Sequence, residues 1–224
     1  MVPRALLTWL LDVDSSLRWQ VERALAGEPE DVWRATRARV AVEGFGAQLL
    51  SHQDEDGQWA GGAYFPADAT RDEPGQPWTA TTWSLNALRE WGVEAAALHP
   101  DTAGLLAGNA RWEHDDLPYW GREVDACINA YTLANGGWLG ADVSTIVDWF
   151  LEHRLPDGWW NRMWVEGSRR SSFHSTLKSL VGILDHETRT GGSPALREAL
   201  HHGEKYLLER ALMRSLSTVE VHAP

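Results

Sequence analysis

The chain has 224 residues, enough for one large domain or two small ones around a substantial hydrophobic core. Hydrophobic residues make up 43% and charged residues 23%, which excludes a disordered chain. A formal net charge of -12 excludes a broad nucleic-acid surface, which needs a basic stripe, but not an anionic ligand held by a few local cations.

The N-terminal MVPRALLTWLLDVDSS places Leu6, Leu7, Leu10 and Leu11 at helical spacing. Asp12 and Asp14 interrupt the apolar run and no small-residue cleavage site follows, so an amphipathic first helix over 4–25 is expected rather than a signal peptide. Further helices are expected near 30–53, 78–92, 101–112 and 124–136. In 142–155, DVSTIVDWFLEHRL, the residues Val143, Ile146, Val147, Phe150, Leu151 and Leu155 share one face behind Asp142 as cap. Residues 172–187 align Phe173, Leu177, Leu180, Val181 and Leu184 behind a serine cap, and a last helix is expected over 194–214. GEPED, RDEPGQP and TGGSP read as loops, and no segment shows the alternation of a strand. The expectation is a single all-α domain, 1–224, of about eight helices in four hairpins. No apolar stretch reaches the roughly twenty residues that span a bilayer. With the lone cysteine, Cys127, unable to form an internal disulfide, a cytoplasmic protein is expected.

Fourteen tryptophans require either a repeated structural device or an aromatic-lined cavity. A repeat is present. Residues 50–59, LSHQDEDGQW, lie over 151–160, LEHRLPDGWW, without gaps, matching Leu50/Leu151, His52/His153, Asp56/Asp157, Gly57/Gly158 and Trp59/Trp160. A weaker copy falls at 105–120, so the period is near fifty residues, that of helical-hairpin arrays.

The stretch QDEDGQW, with Gln53, Gly57 and Trp59, resembles the Gln–Gly–Trp repeat of squalene and other triterpene cyclases; Arg154 replaces the glutamine in the second copy. The resemblance implies an α/α toroid, here an incomplete one, in which this turn is structural. The β subunits of protein prenyltransferases share that fold and hold a catalytic zinc with an Asp-x-Cys pair and a later histidine. Asp125-Ala-Cys127 in VDACINAYTLANGG and His174 in SSFHSTLKSLVG resemble that set. The resemblance therefore implies a zinc site at Asp125, Cys127 and His174. Carboxylate, thiolate and imidazole suit zinc, and three protein ligands leave a fourth position open. Taken singly, Asp125 also reads as a helix cap, Cys127 as a small core residue and His174 as a first-turn residue.

The same resemblance implies an isoprenoid diphosphate substrate. Arg122 and Arg170 are its expected anion contacts, with Arg162 and Arg169 nearby, and an aromatic wall is expected from Trp112, Trp120, Tyr131, Trp160 and Trp164. Prenyl transfer is the activity implied. A non-catalytic isoprenoid-binding or scaffold protein with a structural zinc is the alternative. A class II cyclase fits less well, since DEDG and HDDL lack its acid pattern. An incomplete ring implies self-association or a completing subunit.

Overall fold

The computed structural model describes residues 3–70, 78–155, 157, 159–161, 167–216 and 220–221. Among these the chain is all-α, with ten α-helices and no strand. It divides into two compact units, 1–105 and 106–224.

The first unit holds α1 (Arg4–Leu11), α2 (Ser15–Val21), α3 (Glu30–Arg39), α4 (Gly44–Leu50) and α5 (Thr81–Glu90); α6 (Thr102–Asn109) runs across the boundary. The helix expected over 4–25 is broken by Asp14. Its carboxylate caps α2 by accepting from Ser16 N at 2.9 Å, and it also accepts from Phe45 N at 3.0 Å. The helix expected over 30–53 breaks at Gly44, which has φ +61°. A Cβ there would stand 1.9 Å from Asp14 Oδ2, so only glycine admits this approach. One aspartate thus accounts for both breaks, and ten helices replace the expected eight. Trp19 and Arg37 then donate to the carbonyls of Trp91 and Gly92, both at 2.7 Å, fastening α2 and α3 to the end of α5.

The repeat survives as geometry. The Trp59 indole donates to Leu49 O at 2.8 Å, and the Trp160 indole to Phe150 O at 3.2 Å. Asp54 N donates to Gln58 O at 2.8 Å, and Leu155 N to Trp159 O at 2.7 Å. Both pairs are displaced by the same 101 residues as the sequence match. Each tryptophan is about 1% exposed, so its plate lies flat in the core and its N–H closes the preceding helix. Gln53 adds a bridge by donating to Gly57 O and Thr102 Oγ1 and accepting from His99 N. In the intermediate copy Trp112 instead donates to Tyr119 O within its own turn. Gly158 lies outside the described residues.

The second unit holds α7 (Ala126–Leu139), α8 (Ser144–Glu152), α9 (Phe173–Thr190) and α10 (Pro194–Glu209). Here α7 and α9 pack at very close range: a Cβ on Gly182 would lie 2.4 Å from Ala130 O. The face of α9 that is buried is small and polar, made by Ser175, Thr176, Ser179, Gly182, Ile183 and His186. Of the apolar face expected from periodicity, Leu180 is buried, while Leu177, Val181 and Leu184 are 52%, 54% and 52% exposed. Small side chains on both helices allow the backbones to meet, and that close packing takes the place of the leucine stripe.

Gly182→Ala is expected to destabilise the fold by about 1–3 kcal/mol, because the new methyl meets backbone that cannot step aside. Gly108→Ala in α6, where a Cβ would meet nothing within 4 Å, is expected to be neutral or to gain up to about 1 kcal/mol. Urea unfolding of the two variants measures the contrast.

Candidate functional site

The segment entering α7 is held by its own side chains. Asn129 clamps it, accepting from Glu123 N at 2.7 Å and donating to Glu123 O at 2.6 Å. The Glu123 carboxylate turns back to accept from Asp125 N. Asp125, in extended backbone, is the N-cap of α7 and accepts from Cys127 N at 2.8 Å. Burial pushes the Glu123 carboxyl above its ordinary pKa; the hydrogen bond from Asp125 N opposes this and the Asp125 charge adds to it. Two carboxylates two residues apart thus stand before the lone thiol. Sequence reasoning passed over Glu123, although the alternation Glu-Val-Asp-Ala-Cys was legible.

Cys127 is half-buried. Its thiol lies 3.7 Å from Ser175 Oγ, in the first turn of α9. Ser172 caps that helix by accepting from Ser175 N at 3.0 Å. The starts of α7 and α9 are therefore adjacent, and His174 sits beside Ser175 with its own side chain exposed. The expected three-ligand set is not assembled. Among the described residues no group of three His, Cys, Asp or Glu side chains could hold a metal ion. One oxygen of Asp125 serves the cap, and the thiol faces a serine.

The other expected contacts are dispersed. Arg122 is exposed and lines a groove of about 360 Å³ with Thr145, Asp148 and Glu152, whose two carboxylates oppose an anion there. Arg169 and Arg170 are exposed, and the Arg170 carbonyl accepts from Asn161 Nδ2 at 2.7 Å. Trp112, Trp120 and Trp160 are buried in the core. The Trp112 indole N–H is engaged by Tyr119 O within its own turn, and that of Trp160 by Phe150 O of α8. Tyr131 is half-buried on α7, with the Lys178 ammonium of α9 5.4 Å from its ring centroid. Arg162 and Trp164 lie outside the described residues. In the DEDG turn Asp56 accepts from both the backbone and side-chain nitrogens of Gln58, a structural use. His153, which follows the end of α8, stacks on Trp149 with ring centroids 4.8 Å apart and bonds Trp149 O.

No family model, curated protein or solved structure matches this chain.

Below the site, the α7–α9 seam carries a buried histidine. Burial pushes the His186 imidazole below its ordinary pKa, against the pull of Glu187, Asp185 and a bond to the Leu133 backbone. The folded state therefore takes up its proton at lower pH than the unfolded chain does. The stability contributed by neutral His186 is full above the ordinary histidine pKa of about 6.5 and is lost as pH falls below it. Denaturant midpoints measured from about pH 7.5 to 5 are expected to decline, and His186→Gln to flatten that decline.

Proposed function

We propose that this chain is a helical-repeat protein that binds an isoprenoid, or another elongated apolar small molecule, along the outward face of α9. The observation that carries this reading is the stripe Leu177, Val181 and Leu184, set at i, i+4 and i+7 on one helix and about half exposed at every position. His174, exposed one turn before Leu177, heads the stripe. Full burial of a Leu or Val side chain stabilises by about 1.5–3 kcal/mol, so covering three half-exposed ones contributes roughly 2–4 kcal/mol, before the ligand's own apolar surface is counted. Three contacts in line over about 10 Å of one helix fit a chain-like ligand better than a compact one.

A second reading is zinc-dependent prenyl transfer, with Asp125, Cys127 and His174 as ligands. It is favoured by one observation: the thiol and the first turn of α9 are already adjacent, through Cys127 and Ser175. It requires the three side chains to converge further than they do here, and full release of Asp125 from its cap would cost about 1 kcal/mol.

Titration calorimetry with a soluble prenyl alcohol is expected to show saturable binding, weakened about tenfold or more by Val181→Asp, which sets a charge in the stripe. Absence of saturable binding, or binding indifferent to Val181→Asp, would count against the reading. Elemental mass spectrometry decides the second one. About one zinc per chain, lost in both Cys127→Ser and His174→Ala, supports a metal centre; metal-free protein prepared without chelator removes it.

A further inference from the structure

The second unit carries a groove of about 480 Å³ between the turn that follows α8 and one side of α10. That volume lies within the roughly 300–1,000 Å³ of small-molecule sites. From α10 it takes His202, Lys205, Tyr206 and Glu209, which recur at i, i+3, i+4 and i+7 and so share one face. Arg210 closes the helix, and Arg154 enters from the turn, at the place the glutamine holds in the first repeat copy.

We propose that this groove is a binding site for a small phosphorylated ligand, held through its phosphate or diphosphate by Arg154, Lys205 and Arg210. It shares no residue with the α9 stripe and stands independently of that reading.

The chain as a whole is strongly acidic, with a formal net charge of -12, yet three permanent cations and an imidazole gather in one concavity. A concave wall concentrates their field on a bound anion. Two carboxylates share the groove, one engaged by a serine and the other beside the lysine, where it opposes a bound anion. Asp157 accepts from the backbone N and the hydroxyl of Ser171, and Glu209 Oε1 lies 3.7 Å from the Lys205 ammonium. Among the described residues neither Arg154 nor Arg210 has a carboxylate within 4 Å. Their guanidinium forks are the groups best matched to phosphate oxygens.

The Arg210 guanidinium carbon lies 3.8 Å from the Tyr206 ring centroid, and one of its nitrogens donates to Tyr206 O, which holds the fork against the groove wall. Tyr206 is itself fixed by donating to Ser171 O at 3.2 Å. Trp159 and His202 stand with ring centroids 6.0 Å apart and give the groove an aromatic side. The C-terminal end of α10 presents the unfavourable pole of the helix dipole, but that opposes an anion by less than one charge-assisted hydrogen bond contributes.

Inorganic diphosphate is the probe, titrated by calorimetry into the full chain at pH 7 and constant ionic strength, with sodium chloride as the control. Saturable binding is expected, weakened about tenfold in Arg154→Gln and again in Lys205→Gln, since each removes one charge-assisted contact. Glu209→Gln, which removes a repelling charge without removing a donor, is expected to tighten binding severalfold. Arg122→Gln and Arg170→Gln, outside the groove, are expected to leave it unchanged. No saturable binding, binding matched by chloride, or equal losses in the groove and control variants would overturn the proposal.

Discussion

The second unit depends on one close approach, that of α7 to α9 where Gly182 meets the carbonyl of Ala130. A larger residue at 182 would push the helices apart and open a seam otherwise filled by Ser175, Thr176, Ser179 and Ile183. Three other features follow from that contact. Gly137 comes to lie against the His186 ring, so the histidine is buried. The start of α9 reaches the thiol of Cys127. Leu177, Val181 and Leu184 are turned outward, because a helix that buries its small face exposes the opposite one.

Order at the start of α7 comes from a different source. Asn129 returns to hold the backbone of Glu123 at both its N–H and its carbonyl, and Glu123 and Asp125 satisfy the N–H groups that follow. This places an acid with a raised pKa and a capping carboxylate in front of a half-buried thiol. The chemistry available there is polar and local, while the apolar surface begins one helix away.

Much of the fold was legible in the sequence. The class, the breaks at GEPED and TGGSP and the repeat follow from apolar spacing and from the recurrence of Asp, Gly and Trp, and the two tryptophan-to-carbonyl bonds reproduce the 101-residue offset; RDEPGQP lies outside the described residues. The two extra helix breaks were not legible, because Asp14 and Gly44 act on each other across thirty residues and neither alone is a stop signal. The orientation of α9 was misjudged for a related reason: periodicity ranks leucine above serine and glycine, whereas backbone contact ranks them in reverse. At the site, the caps of α7 and α9 and the nearness of Cys127 to the start of α9 were within reach of the sequence. The burial of Trp112 was not, since composition cannot tell a cavity wall from a core; for Trp160 the match to Trp59 already pointed to a turn plate rather than a cavity wall. The basic groove on α10 escaped notice because Arg154 and Arg210 are far apart in sequence and each looks like an ordinary surface cation.

The most direct test of the account is photolabelling with a diazirine-bearing prenyl probe, followed by mapping of the adducts by mass spectrometry. Adducts at Leu177, Val181 or Leu184, suppressed by excess unlabelled prenyl alcohol, are the predicted result. Adducts confined to other exposed apolar residues such as Leu208 and Leu212, or labelling that excess alcohol does not suppress, would contradict it.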